Sequence, residues 1–295
     1  MPMKMLAENN FGQVQQVMLS ADIPALVINH PNAQAKVSLY GGQVLSWQPK
    51  DQNDVFWLSK NSTYEQGKAI RGGVPLCWPW FGAHPKDGES KAGNHGFARN
   101  QLWQLDNIDI DEQGVAIHLS WQGSNMSELW PFACQLKQTL CFGQAFKQSL
   151  QMTNLSSSDA YYTGALHSYF CVSSPENIKI PALAEASFDD KLTGKLYSPQ
   201  VLENGVGPID RIYHTDNRMS IIDTGLQRTI ELKTSNTKQW VFWNPGVELA
   251  NNMADIHTHG EQEFVCLEAA NTQMQLLPAG KSAIIAQEIS VHRRQ

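Results

Sequence analysis

Apolar and polar residues alternate with a period of two along much of the chain. Val115, Ile117 and Leu119 alternate with smaller or polar residues, and the same alternation runs through 136–142 and 146–152. Successive side chains of a strand point to opposite faces, so this pattern predicts strands that are buried on one face. Further strand candidates are 25–29, 35–48, 54–58, 102–110, 161–172, 219–224, 227–234, 239–243, 264–269 and 282–292.

Turn-forming residues separate these strands, as at 112–114 and 156–159. Short strands with such spacing are typical of an antiparallel sandwich or barrel. Few helices are expected: 125–130 and 199–205 are predicted to form short helical turns, the second with Ser198 as its N-cap. The chain shows no linker, repeat or change of composition. We therefore predict an all-β antiparallel β-sandwich in a single domain over residues 1–295.

Composition and charge narrow the classes of partner. The 295 residues carry a net charge of -6, which argues against nucleic acid or an acidic membrane as a partner. No apolar run approaches the ~20 residues of a membrane helix. The five cysteines are widely spaced and mostly lie in apolar runs, as is typical of free thiols in a reducing compartment. We expect a cytoplasmic protein that binds a small molecule, and we favour a monomer.

Two segments rich in glycine carry arginines. Residues 69–82 contain Arg71, and 94–99 contain Arg99. Glycine and proline exclude a long helix or a central strand there, so both segments are predicted loops, where sites concentrate. Arginine suits an anionic oxygen group, and Trp78 and Trp80 offer flat apolar faces to a sugar ring, unless they are core residues. A phosphorylated sugar fits both features.

Predicted strands contribute three candidate residues. His167 shares its strand face with Tyr169, although a lone histidine in a strand is more often structural. Glu268 interrupts an apolar strand, where a carboxyl group is costly unless it is paired or used. Asp210 enters a short β-like run, and its neighbour Arg211 favours a local ion pair.

A metal site is the competing hypothesis. His257, His259 and Glu263 have a spacing similar to that of cupin metal sites, which suit iron, manganese or zinc. The glycines that cupins place around this motif are missing, and no histidine follows Gly280 at the required distance. The sequence therefore favours a protein without a metal.

An ordered set of motifs resembles the aldose 1-epimerase superfamily, and within it the hexose-6-phosphate mutarotase branch. The resemblance covers about residues 25–290. The set comprises Arg71-Gly72-Gly73-Val74-Pro75, Trp78-Pro79-Trp80-Phe81-Gly82, His95-Gly96-Phe97-Ala98-Arg99, Leu166-His167-Ser168-Tyr169-Phe170, Asp210-Arg211-Ile212-Tyr213, Trp243-Asn244-Pro245 and Cys266-Leu267-Glu268.

This resemblance implies a galactose-mutarotase-like supersandwich and an isomerase that needs no cofactor. By match of motif, His167 and Glu268 correspond to the family's catalytic histidine and glutamate. Asp210 corresponds to a sugar-contacting aspartate, and Arg71 and Arg99 match the arginines that hold the phosphate. Further expected substrate contacts are Asn94, His95 and Trp243.

The implied reaction interconverts the α and β anomers of glucose 6-phosphate through ring opening. Glu268 would remove the proton of the C1 hydroxyl, and a cationic His167 would protonate the ring oxygen. Two other classes remain open. A non-catalytic sugar-phosphate sensor needs the arginines but not both His167 and Glu268, and a glycoside hydrolase needs a second carboxyl such as Asp210. The presence of His167 together with Glu268 favours the isomerase.

Overall fold

Antiparallel strands dominate the computed structural model, which describes residues 3–86 and 92–294. The first five strands form one sheet in chain order: β1 (Lys4–Glu8), β2 (Gln13–Ser20), β3 (Ile23–His30), β4 (Ala33–Ser38) and β5 (Gln43–Pro49). The next seven are β6 (Leu76–Cys77), β7 (Gln104–Ile110), β8 (Gly114–Gly123), β9 (Cys134–Gly143), β10 (Ala145–Asn154), β11 (Ala160–Leu166) and β12 (Tyr169–Cys171).

The last nine strands are β13 (Ile178–Lys179), β14 (Phe188–Asp190), β15 (Lys195–Tyr197), β16 (Ile209–Tyr213), β17 (Met219–Asp223), β18 (Arg228–Ser235), β19 (Gln239–Asn244), β20 (Phe264–Leu277) and β21 (Ser282–Arg293). One short α-helix occurs in the described chain, α1 (Gly246–Asn251). The 3-10 turns are Ala98–Asn100, Pro175–Asn177, Pro181–Glu185 and Gly260–Gln262. None of the helices in residues 3–86 and 92–294 has the length and apolarity to cross a membrane.

Two eight-stranded sheets pack face to face. One has the order β13-β17-β18-β21-β10-β9-β8-β7, and the other runs β15-β14-β16-β19-β20-β11-β6, with β12 also paired to β20. Residues 278–281 carry the chain from β20 in one sheet to β21 in the other. The core between the sheets takes alternate apolar residues from both, including Val115, Leu140 and Phe146 on one side and Leu166 and Leu267 on the other. The predicted all-β sandwich is confirmed.

A chain of buried amide groups crosses this core. Gln138 Nε2 donates to the carbonyl of Gly42 (2.6 Å), and Gln148 Nε2 donates to Gln138 Oε1 (2.7 Å). Gln287 Nε2 donates to Gln148 Oε1 (2.8 Å) and to Ser168 Oγ (3.1 Å). Each amide group of this hydrogen-bonded series has a partner, which removes the cost of burying it. The series connects Ser168, at the break between β11 and β12, to the opposite sheet.

The predicted strands at 115–121, 136–142 and 146–152 lie within β8, β9 and β10. Two long candidates are each divided: 35–48 contains β4 and β5, and 161–172 contains β11 and β12. The expected strand at 54–58 is wrong, because only isolated bridges at Phe56 and Leu58 form there.

The two expected helical turns are also wrong. Residues 125–130 form a turn closed by a bridge from Ser127 to Trp130, and Asn125 has a left-handed φ of 54°, which a helix cannot contain. Residues 199–205 lack regular structure, and the N–H of Gly205 bonds to the carbonyl of Pro175 rather than to a preceding turn.

Candidate active site

A cleft of about 390 Å³ opens on the side of the β20 sheet that faces away from the main core. This volume lies within the usual range of ligand sites, about 300–1,000 Å³. All eight residues predicted from the sequence line it: Arg71, Asn94, His95, Arg99, His167, Asp210, Trp243 and Glu268. Two other depressions, of about 500 and 570 Å³, contain no histidine.

Strand register aligns the floor of the cleft. Asp210 on β16 lies opposite Trp243 on β19, and Trp243 lies opposite Cys266 on β20. Cys266 in turn lies opposite Tyr169 on β12. Glu268 follows Cys266 by two residues and therefore shares its face of the strand. The sheet thus places side chains from four strands in one row, with Glu268 beside it.

His167 lies at the break between β11 and β12. Its N–H donates to the carbonyl of Pro75 (3.0 Å), and its ring stacks on Tyr169 with centroids 4.8 Å apart and planes 7° apart. His167 Nε2 is 3.3 Å from Glu268 Oε1. Both side chains are almost fully buried, and neither His167 Nδ1 nor Glu268 Oε2 has a partner among the described residues. Two buried titratable groups are therefore in contact, and one polar atom of each has no hydrogen-bond partner among the described residues.

Burial and neighbouring charges shift both pKa values. Burial, with a smaller contribution from the Asp210 carboxyl, raises the pKa of Glu268 well above its ordinary value. Burial, followed by the charges of Arg99 and Arg71, holds the pKa of His167 well below its ordinary value. Two arginines and a dry environment therefore disfavour a cationic His167 in the protein alone.

Arg71 is held by two partners. Its Nε donates to Asp255 Oδ2 (2.9 Å) and its Nη1 donates to Tyr169 Oη (2.9 Å). Burial acts to lower the pKa of Arg71, but Tyr169 and Asp255 outweigh it and raise the pKa. The loop approaches other backbone segments closely: a Cβ at Gly72 would lie 2.4 Å from Trp57 O, and one at Gly73 would lie 2.0 Å from Val44 O. Only glycines fit beside Arg71.

Arg99 is held more loosely. It lies in the 3-10 turn Ala98–Asn100, and its Nη2 donates to the carbonyl of Asn94 (2.9 Å). Its Nε is buried without a hydrogen-bond partner in residues 3–86 and 92–294. Burial lowers the pKa of Arg99. A buried guanidinium with an unused donor fits an anionic ligand oxygen.

His95 adds a hydrogen-bond donor. Its Nδ1 lies 3.2 Å from the N–H of Gly82, which donates to it, and its ring meets that of His167 edge-on at 5.4 Å. Burial, then the charge of Arg99, lowers the pKa of His95, so its ring is neutral. A neutral imidazole that accepts at Nδ1 carries its proton on Nε2; this tautomer is assigned from the hydrogen bond.

Sequence reasoning missed several cleft residues, and Lys191 is the most important. Its N–H donates to the carbonyl of Asp210 (2.8 Å), and its ammonium lies 3.8 Å from where a Cβ of Gly82 would stand. The charge of Lys191 acts to lower the pKa of both Asp210 and Glu268. Its only sequence signal is a turn before Gly194, which gives no chemical clue. The other missed lining residues are Phe81, Gly82, Ala83, Tyr169, Val241 and Met253.

Two expectations about individual residues are corrected. Asp210 does not pair with Arg211, because neighbours on a strand face opposite ways; Arg211 instead pairs with Asp190 (3.3 Å). Trp78 and Trp80 belong to the main core and cannot receive a sugar ring. Trp243 contributes the indole of the cleft, with its ring 6.4 Å from that of His167.

The cupin-like motif does not form a metal site. His257 Nε2 bonds to Glu263 Oε2 (2.9 Å), and its Nδ1 lies 3.2 Å from the N–H of Lys60, so both ring nitrogens have protein partners. Among the described residues, the one group of three His, Cys, Asp or Glu side chains spaced for a metal is His167, Cys266 and Glu268, within 4.8 Å of one another.

The charges around His167, Cys266 and Glu268 disfavour a metal ion there. Arg71, Arg99 and Lys191 line the same cleft and repel a cation. Burial, then the neighbouring Glu268 carboxyl, raises the pKa of Cys266 well above its ordinary value, so its thiol stays protonated. We interpret the group as an acid–base pair above a buried thiol.

An antiparallel supersandwich with a histidine–glutamate pair in a polar cleft defines a sugar epimerase of the galactose-mutarotase type. The Aldose 1-epimerase family model matches residues 24–290, and the chain belongs to that family.

Relatives agree with this assignment. A protein of Salmonella typhimurium, provisionally named glucose-6-phosphate 1-epimerase, is 34% identical over 280 residues, which is 92% of each chain. A crystal structure from Salmonella typhimurium, provisionally described as a mutarotase, matches with a TM-score of 0.86 at 32% identity, covering 99% of this chain and 97% of that one. A galactose mutarotase-like protein from Clostridium acetobutylicum shares the fold, with a TM-score of 0.76 at 15% identity over 97% of this chain and 100% of that one.

Proposed function

We propose that this epimerase interconverts the α and β anomers of glucose 6-phosphate by acid–base ring opening and closure, without a cofactor. The observation that carries the proposal is the 3.3 Å separation of His167 Nε2 and Glu268 Oε1 in a buried cleft. The two oxygens that exchange protons in the reaction are bonded to the same carbon, C1. The acid and the base must therefore lie close together, as these two groups do.

Glu268 acts as the base and His167 as the acid. Glu268 takes the proton of the C1 hydroxyl while His167 gives a proton to the ring oxygen, and the C1–O5 bond breaks to give an aldehyde. Rotation about C1–C2 presents the other face of the carbonyl, and closure returns both protons. The raised pKa of Glu268 makes it a stronger base than an exposed carboxylate once it is ionised. His95 Nε2–H and Asp210 bind sugar oxygens.

Arg71 and Arg99 bind the phosphate in this proposal. Both guanidinium groups line the cleft that holds the pair, and the buried Nε of Arg99 offers an unused donor. Lys191 adds a third positive charge at the rim. The provisional name of the Salmonella typhimurium relative supports the same substrate.

Exchange NMR tests the proposal directly. The α and β signals of glucose 6-phosphate are followed with catalytic amounts of protein in buffer with EDTA, and glucose is compared. Exchange well above the spontaneous rate is expected. Binding of glucose 6-phosphate without faster exchange would identify a sensor, and activity that depends on added metal would exclude the cofactor-free mechanism.

A further inference from the structure

One cleft arginine, Arg71, is connected to His167 through an aromatic ring, and Arg99 lines the same cleft. Arg71 Nη1 bonds to Tyr169 Oη (2.9 Å), and the Tyr169 ring stacks on His167 at 4.8 Å. On the other side, the segment that bears Arg99 also bears His95, whose ring meets His167 at 5.4 Å. His167 therefore lies between two rings, and one of them, that of Tyr169, bonds to Arg71.

Other titratable groups also face His167. They are Glu268 and Cys266 from β20, Tyr169 from β12, Cys77 from β6, Asp210 from β16, Lys191 after β14, and Arg71, His95 and Arg99 from the loops around β6. Asp255 partly balances Arg71, whereas Arg99 forms no ion pair with an acidic side chain in residues 3–86 and 92–294. Beyond Glu268, whose carboxyl lies 3.3 Å from His167, the positive side chains of the cleft, Arg71, Arg99 and Lys191, outnumber its other carboxyl, Asp210.

This arrangement conflicts with the acid role of His167. A neutral imidazole is a very weak acid, so His167 must gain a second proton before it can protonate the ring oxygen. Burial, Arg99 and Arg71 all oppose that proton in the free protein. A dianion bound at the arginines would cancel their field, since in a cleft of low dielectric such charges act strongly over short distances.

We infer that an oxyanion held by Arg71 and Arg99 activates the His167–Glu268 pair, so that the phosphate of the substrate accelerates the chemical step as well as binding. This inference rests on the proposed function. When the dianion binds to protein in which Glu268 has ionised, it draws one proton from solvent to His167. That proton goes to the ring oxygen on opening and returns on closure, so the proton count is restored after each turnover.

Sulfate tests the activation, because it is a dianion of phosphate-like shape whose charge is constant near neutral pH. Anomer exchange of unphosphorylated glucose is measured with increasing sodium sulfate, against sodium chloride at matched ionic strength. We expect sulfate to raise kcat for glucose by about 10-fold or more, which corresponds to a barrier lowered by about 1.4 kcal/mol. Arg99→Ala should lose the activation. The matched control Arg218→Ala, which removes an exposed arginine outside the cleft, should keep it.

Calorimetry tests the proton itself. Sulfate is titrated into the protein in two buffers with different heats of ionisation, at one pH at which the pH profile of exchange shows Glu268 to be ionised. Net proton uptake is expected for the natural chain and none for His167→Asn. Absence of sulfate binding, binding without proton uptake, or equal uptake by His167→Asn would each overturn the inference.

The inference and the proposed function fail separately. Rapid exchange of glucose 6-phosphate with no effect of sulfate on glucose, or inhibition by it, leaves the function intact and removes the activation. Absence of exchange with glucose 6-phosphate removes the function. The calorimetric measurement of proton uptake alone then decides whether a bound oxyanion causes His167 to be protonated.

Discussion

Arg99 is the cleft arginine whose removal disturbs the protein least. Its side chain makes one hydrogen bond within the described chain, to the carbonyl of Asn94, whereas Arg71 holds both Asp255 and Tyr169. Arg99→Ala therefore tests phosphate recognition with a small cost to the fold.

The expected fall in kcat/KM follows from the hydrogen-bond donors that Arg99→Ala removes. A hydrogen bond to a charged group contributes about 1.5–3 kcal/mol. The loss of one such contact to phosphate corresponds to a fall in kcat/KM for glucose 6-phosphate of about 10- to 100-fold. Glucose has no phosphate, so its kcat/KM should not fall. It should rise somewhat, because Arg99 no longer opposes the proton on His167.

Exchange NMR with both sugars at several concentrations measures these values, and the melting temperature shows whether the variant remains folded. Arg218→Ala provides the same change of net charge at an exposed position outside the cleft. Equal losses for glucose and glucose 6-phosphate would refute the reasoning, because Arg99 would then support the cleft structure rather than bind the phosphate.

Three further predictions concern the pair and the core. Glu268→Gln and His167→Asn should each lower the exchange rate by about 10²–10⁴ while the protein stays folded, and near-normal turnover of either variant would remove that residue from the mechanism. Because the pKa of Glu268 is raised, the folded protein keeps a proton which the unfolded chain loses. The free energy of unfolding therefore falls as pH rises from the ordinary pKa of a glutamate to the raised pKa of Glu268, by about 1.4 kcal/mol per unit of difference between the two. Glu268→Gln should therefore gain melting temperature relative to the natural chain as pH rises, and a constant difference would contradict the raised pKa. Gln148→Ala leaves Gln138 Oε1 and a Gln287 N–H without their partner, and it should lower the free energy of unfolding in urea by about 2–5 kcal/mol. A loss under about 1 kcal/mol would show that these buried glutamine hydrogen bonds contribute little to stability.

The alternation of side chains predicted the central strands well, because one face of each is buried against the other sheet. It also assigned His167 and Tyr169 to one face, and both line the cleft. Strands whose residues are mostly exposed or intermediate, such as β1 and β2, lack this contrast and were missed. Helix α1 was missed because Pro245 and Gly246 indicate a turn.

Site residues were predictable where a motif carried them. The eight predicted residues meet in one cleft, but their distances depend on strand register, which one sequence does not reveal. Lys191 enters only because β14 pairs with β16 beside Asp210. Trp78 and Trp80 were misjudged because a loop pattern has no period from which to infer which side is buried.

Different parts of the fold carry the charged side chains of this cleft: strand β20 carries Glu268, and loops carry Arg71 and Arg99. Glu268 is fixed by the register of β20, and a shift of one residue would turn it into the core and bring Leu267 out. Arg71 and Arg99 stand in loops, where residues other than tightly packed glycines such as Gly72 and Gly73 can change at little cost to a sheet. Under the proposed function, a descendant with other loops would keep the His167–Glu268 pair and bind a different substituent at the far end of the sugar. Substrate preference could then change through the loops while the proposed proton-transfer chemistry stays the same.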